Sequence, residues 1–157
     1  IGTAPGNDLK LSEDKIRGYK HFANKLWNVA RFVLSNINGT DKKSALTAGD
    51  QKIWDELETV LKDVTEDMEN FRFYLAGEKL YHYLWHTFAD KIIEESKKIF
   101  EESGDKEKNS RRKLLYDIFE AQLKVLHPFI PFVTEAIWDL MPHNNKDLLM
   151  VEEWPIL

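Results

Sequence analysis

Apolar residues recur at three- and four-residue steps in block after block of this chain, with turn-forming residues between the blocks. That spacing is the footprint of helices that each bury one stripe. The first block holds Ile16, Tyr19, Ala23, Leu26, Ala30, Val33 and Ile37, with Ser12 as an N-cap ahead of Glu13 and Asp14. It predicts a helix from Ser12 or Glu13 to about Asn36–Gly39. Thr47 caps a second, with Ile53, Leu57, Val60, Leu61, Val64 and Met68 as its stripe and an end near Glu69. Asn70–Phe71–Arg72–Phe73 reads as a tight corner. A third, more aromatic helix follows on Leu80, Tyr81, Leu84, Trp85, Phe88, Ile92 and Ile93 to about Glu101, the longest of the set. Ser103–Gly104–Asp105 breaks it, and Leu114, Leu115, Ile118, Phe119, Gln122, Leu123 and Leu126 mark the fourth. His127–Pro128 ends that one, and Pro131 suits the first turn of a short fifth helix through about Leu140. Leu148–Val151 reads as one short strand or an extended tail with nothing in the chain to pair against. The fold expected is therefore all-α, an antiparallel bundle of four main helices plus a short fifth.

Composition narrows what such a bundle does. The 157 residues suffice for one hydrophobic core. No cysteine is present, so disulfides, thiolate metal sites and thiol nucleophiles are excluded. No apolar run approaches the length that spans a bilayer, and no signal-peptide pattern opens the chain. His82 and His86 are four apart, but Tyr83 follows His82 where a zinc hydrolase needs glutamate, so neither metal nor catalytic residues are assigned. The net charge of −5 argues against DNA and hides a polarity. Residues 12–37 carry a net +3 and residues 48–70 a net −6. A polyanion would approach the first helix and be repelled by the second.

On the first helix Arg17, Lys20, Asn24, Trp27, Asn28 and Arg31 fall in one sector, about 110° from the apolar stripe at ~100° per residue. Cations for phosphate, amides for base edges and an indole for stacking are the means of reading unpaired RNA. The plainer alternative has Trp27 at the edge of the core and the cations merely solvated.

Several segments carry a family resemblance. Asn24–Lys25–Leu26–Trp27–Asn28 with Ala30–Arg31–Phe32, the opening Gly2–Thr3–Ala4–Pro5–Gly6 with Asp8, the corner Glu69–Asn70–Phe71–Arg72–Phe73, Leu126–His127–Pro128–Phe129–Ile130–Pro131–Phe132 with Glu135 and Ile137–Trp138, and the closing Trp154–Pro155 come in the right order. Together they resemble the anticodon-binding domain of the valyl-tRNA synthetases, class I aminoacyl-tRNA synthetases. The His-Pro-Phe-x-Pro-Phe segment is shared with isoleucyl and leucyl enzymes; the Asn-Lys-Leu-Trp-Asn run and the Thr-Ala-Pro-Gly opening favour valyl.

The resemblance implies a cytoplasmic module that binds the anticodon stem-loop of valine tRNA. It implies that ATP and magnesium are used in a separate catalytic domain of the same parent chain, with no cofactor in these residues. It implies a division into 1–11 as the linker from that catalytic domain, 12–142 as the helical bundle and 143–157 as an extended C-terminal segment. Lys20, Asn24, Lys25, Trp27, Asn28 and Arg31 become candidate RNA contacts. Arg72 joins them, meeting phosphate or tying its corner to a carboxylate, while Phe32 stacks on a base or packs between helices. The His127–Phe132 segment is expected to be a structural bend whose aromatics plug the bundle. The same module from an isoleucyl or leucyl enzyme, or a helical protein-interaction domain without an RNA role, are the competing readings.

Overall fold

The computed structural model describes residues 12–37, 44–142 and 147–155. The linker expected at 1–11 lies outside them. Helix α1 spans Glu13–Asn36, and the Ser12 hydroxyl accepts a hydrogen bond from the Lys15 amide, which satisfies one of the donors a helix start leaves orphaned. Helix α2, Ala48–Glu69, is capped the same way by Thr47, which accepts from the Asp50 amide. The corner after α2 holds Phe71 at φ 58, the one non-glycine in the left-handed region among the described residues. Helix α3, Phe73–His82, then runs without a break through a π-helical segment, Tyr83–Ile92, into α4, Ile93–Glu102. Helix α5 is Asp105–Leu126, and α6 is Pro131–Trp138 with its proline in the first turn.

The winding of the α3–α4 rod follows from its sequence. Ala76, Leu80, Leu84, Phe88, Ile92 and Ser96 are all buried and recur at strict four-residue steps. An α-helix at 3.6 residues per turn would carry such a repeat about 40° around its axis at each step. A stretch of wider π turns cancels that drift and keeps the line facing the core.

Helix α5 departs from the single stripe expected of it. Leu114, Leu115, Tyr116, Ile118, Phe119, Ala121, Gln122, Leu123, Val125 and Leu126 are all buried, so its second half is covered around most of its circumference, with Asp117, Glu120 and Lys124 left as one half-buried charged stripe. Helices α1, α2, α3, α4 and α6 pack around it. Helix α1 departs in the other direction. Ile16 and Tyr19 are 52% and 55% exposed, and the core receives Phe22, Leu26, Val29, Ala30 and Val33 instead. Its first two turns therefore stand clear of the bundle.

Charge also enters the interior. Asp50 and Arg111 are both buried and lie 2.7 Å apart; the Ser110 hydroxyl donates to Asp50, accepts from the Thr47 amide at 2.8 Å, and so ties the start of α2 to α5. The His127 bend is structural, as expected: its Nδ1 is 2.9 Å from the Thr134 hydroxyl across the two prolines. Its aromatics do not both plug the bundle, since Phe129 is half-buried but Phe132 is 91% exposed.

The C-terminal segment is neither a strand nor unpaired. Leu149–Val151 forms a 3-10 turn, because Glu135 accepts from the Leu149 amide at 2.9 Å and Leu149 enters the core. Trp138 donates to the Asp147 carbonyl at 3.1 Å, and Trp154 donates to Thr65 on α2 at 2.9 Å. The tail straps α6 to α2.

Candidate nucleic-acid interface

Burial of Phe22, Leu26, Val29 and Val33 fixes how α1 is rotated, and with it what α1 shows to solvent. At about 100° per residue the side opposite these four carries Arg17, Lys20, Asn24, Trp27, Asn28 and Arg31. All six are exposed, Trp27 to 40%. None of Arg17, Lys20 and Arg31 forms an ion pair among the described residues. The sector thus lies farther from the core than the sequence pattern suggests, because Ile16 and Tyr19 do not belong to the buried stripe. Asn28 and Arg31 also line a shallow concavity with Phe32, Leu34 and Ser35.

Two of the expected contacts are occupied within the protein. The Lys25 ammonium lies 2.8 Å from Asp90 Oδ1 and 5.4 Å from the centre of the Trp85 ring, which pins α1 to the π segment. The hydrogen bond from Lys25 holds the Asp90 carboxyl below the ordinary carboxylate range. Arg72 donates from Nε to Asp67 at 2.7 Å and from its terminal nitrogen to Glu66 at 3.1 Å. Of the two fates expected for Arg72, tying its corner to a carboxylate is the one the structure contains. Asp67, itself buried, also receives Lys79 at 2.8 Å, and that bond, then the one from Arg72, lowers its pKa. The acidic surface expected of α2 is accordingly reduced: Asp50 and Asp67 are buried against cations, and only its remaining acids face solvent.

Phe32 is half-buried and packs against Phe100, ring centres 6.5 Å apart. Helical-wheel reasoning gives no hint of this partner, which reaches Phe32 from the far end of the rod. His82 and His86 lie side by side, 5.3 Å between ring centres, and His86 is 3.6 Å from Asp90. Among the described residues no three metal-ligating side chains converge.

The family described as the anticodon-binding domain of tRNA ligase matches residues 50–156, more than half of the chain. The chain belongs to that family. Three relatives are valine–tRNA ligases: that of Pelagibacter ubique is 37% identical over 158 residues, 97% of this chain. Those of Enterococcus faecalis and Carboxydothermus hydrogenoformans are each 37% identical over 161 residues, 99% and 98% of it. This anticodon-binding domain spans only 18% of the length of each relative. The family match begins at residue 50, so it takes in the rod, α5, α6 and the tail strap, while the valine–tRNA ligases align through α1 as well.

Proposed function

We propose that the chain is the tRNA-binding module of a valine–tRNA ligase and that α1 presents its RNA-reading face to the anticodon stem-loop of valine tRNA. The observation that carries this reading is the exposed row Lys20, Asn24, Trp27, Asn28 and Arg31, turned directly away from the core of an anticodon-binding domain. Cations there meet phosphates, amides meet the edges of unpaired bases, and the indole offers a stacking surface. Lys25 and Arg72 act behind that face: one fixes the pitch of α1, the other the α2–α3 corner. Valine as the amino acid, rather than isoleucine or leucine, is supported by relatives of that name aligning with nearly the whole chain.

The parent enzyme would charge valine tRNA with ATP and magnesium in a catalytic domain elsewhere in its chain, in the cytoplasm, with neither DNA nor membrane as a partner. No helix among the described residues is long and apolar enough to cross a membrane. Energy gathered at the anticodon then places the distant acceptor end, so it emerges in turnover as well as in affinity.

Titration of tryptophan fluorescence with valine tRNA and a non-cognate tRNA, at low and physiological salt, tests the reading. Tighter, salt-sensitive binding of valine tRNA is expected. Equal binding of both would remove anticodon recognition from these residues, and self-association with indifference to tRNA would favour a protein-interaction role.

A further inference from the structure

The Phe32–Phe100 contact joins α1 to a second group of cations that the α1 face does not include. Lys97 Nζ lies 5.9 Å from the centre of the Phe32 ring, and the Arg112 guanidinium lies 5.7 Å from the centre of the Phe100 ring. Phe32 and Phe100 are both half-buried, so neither is closed off from solvent. Phe32 also borders the concavity that Asn28 and Arg31 line. A strip therefore runs from Arg31 through two rings to Lys97 and Arg112, crossing from α1 to α4 and α5.

The two neighbouring arginines of α5 are used in opposite ways. Arg111 turns inward and is consumed by buried Asp50. Arg112 turns outward, stays partly exposed, and finds the Asn109 side chain at 2.9 Å but no carboxylate among the described residues. A guanidinium laid over a ring and bonded to a neutral amide instead of a carboxylate is suited to a phosphate beside a base. Lys97 is shared with Glu94 at 2.6 Å, and a phosphate would compete for it at an exposed site where that pair is weak.

We propose that the RNA footprint continues from α1 across the Phe32–Phe100 pair, with Arg112 and Lys97 contacting phosphates of the unpaired loop and the Phe100 ring packing beside one of its bases. This rests on the anticodon reading above and extends it to two further helices. Rings flanked by cations bind single-stranded nucleic acid with little dependence on base identity, so this part of the footprint supplies grip, leaving discrimination to Asn24 and Asn28.

The test is binding of a synthetic valine anticodon stem-loop RNA to the 157-residue chain over a range of salt concentrations. Wild type would be compared with Arg31→Ala, Arg112→Ala, Arg112→Lys, Lys97→Ala and Phe100→Leu, each checked by thermal melting. Arg112→Ala is expected to weaken binding several-fold and to lower the slope of log affinity against log salt by about 0.7 to 0.9, the value of one phosphate contact. Arg112→Lys should restore most of that slope, which a purely structural arginine would not do. Phe100→Leu keeps the apolar packing, and loss of the ring is expected to weaken binding roughly fivefold or more. If the folded Arg112, Lys97 and Phe100 variants bind as wild type while Arg31→Ala binds less tightly, the footprint ends on α1 and the proposal is wrong. If wild type itself ignores the RNA, the anticodon reading fails and takes this extension with it.

Discussion

Lysines 20 and 25 stand about 1.4 helical turns apart on α1, and their surroundings give them different work. Lys20 is exposed without an ion-pair partner among the described residues, whereas Lys25 is held between Asp90 and Trp85. Lys20→Ala is expected to weaken every tRNA alike and to reduce the salt slope by about 1. Lys25→Ala should leave the slope unchanged, and filter binding at several salt concentrations separates the two. Trp27→Ala, folded by circular dichroism, is expected to lose roughly 1–3 kcal/mol of RNA binding if the indole stacks as proposed. The sequence showed the row Lys20 to Arg31 because one helix wheel contains it. It did not show which cations are already paired, since Asp90 lies 65 residues from Lys25 and only packing brings the two together. Asp67 extends the same lesson to pH. Lys79 and Arg72 depress its folded pKa below the unfolded value of about 3.9, so the unfolded chain binds the proton more readily. Its contribution to stability is present above that unfolded value and is lost as pH falls through the folded one. Denaturant melts across the acid range should show wild type losing more stability than Asp67→Asn as the medium is acidified.

At the scale of elements, the boundaries were the most legible part of the sequence. Ser12 and Thr47 cap where their spacing to the apolar stripes predicts, and Pro131 opens α6. What escaped was the form of the third helix. Its four-residue repeat from Ala76 to Ser96 was open to inspection, but a three-or-four template absorbs such a repeat without noticing that an α-helix cannot keep it on one line. The central place of α5 escaped for a related reason. Tyr116, Ala121 and Val125 widen its buried face beyond the expected stripe, and Ser110 and Arg111 hid how far that face extends by being buried polar residues. Phe88 sits in the π segment, fully buried and stacked on Phe119 of α5 with 6.2 Å between ring centres. Phe88→Ala should cost about 3–5 kcal/mol in urea denaturation, the range for losing a large core aromatic.

Across the whole molecule, charge is sorted into an inner set that holds the bundle and an outer set left at the surface. Asp50 and Arg111 belong to the first, joining the starts of α2 and α5 beneath the surface. Arg111→Met alone is expected to destabilise by about 3–5 kcal/mol because it strands a buried carboxylate. The double variant Asp50→Leu with Arg111→Met should recover much of that loss in the same melts. The outer set leaves α1 basic and α2 acidic at its surface, and both helices pack on α5. On the proposed anticodon reading, an RNA loop is steered to the basic α1 face. Photocrosslinking decides whether α1 is the face that meets RNA. A benzophenone amino acid would replace Asn24 on α1 in one protein and exposed Thr59 on α2 in another, each irradiated with the valine anticodon stem-loop. Crosslinks from position 24 and none from position 59 are the predicted result. Crosslinks from position 59, or silence at position 24 in a complex shown to form, would contradict it.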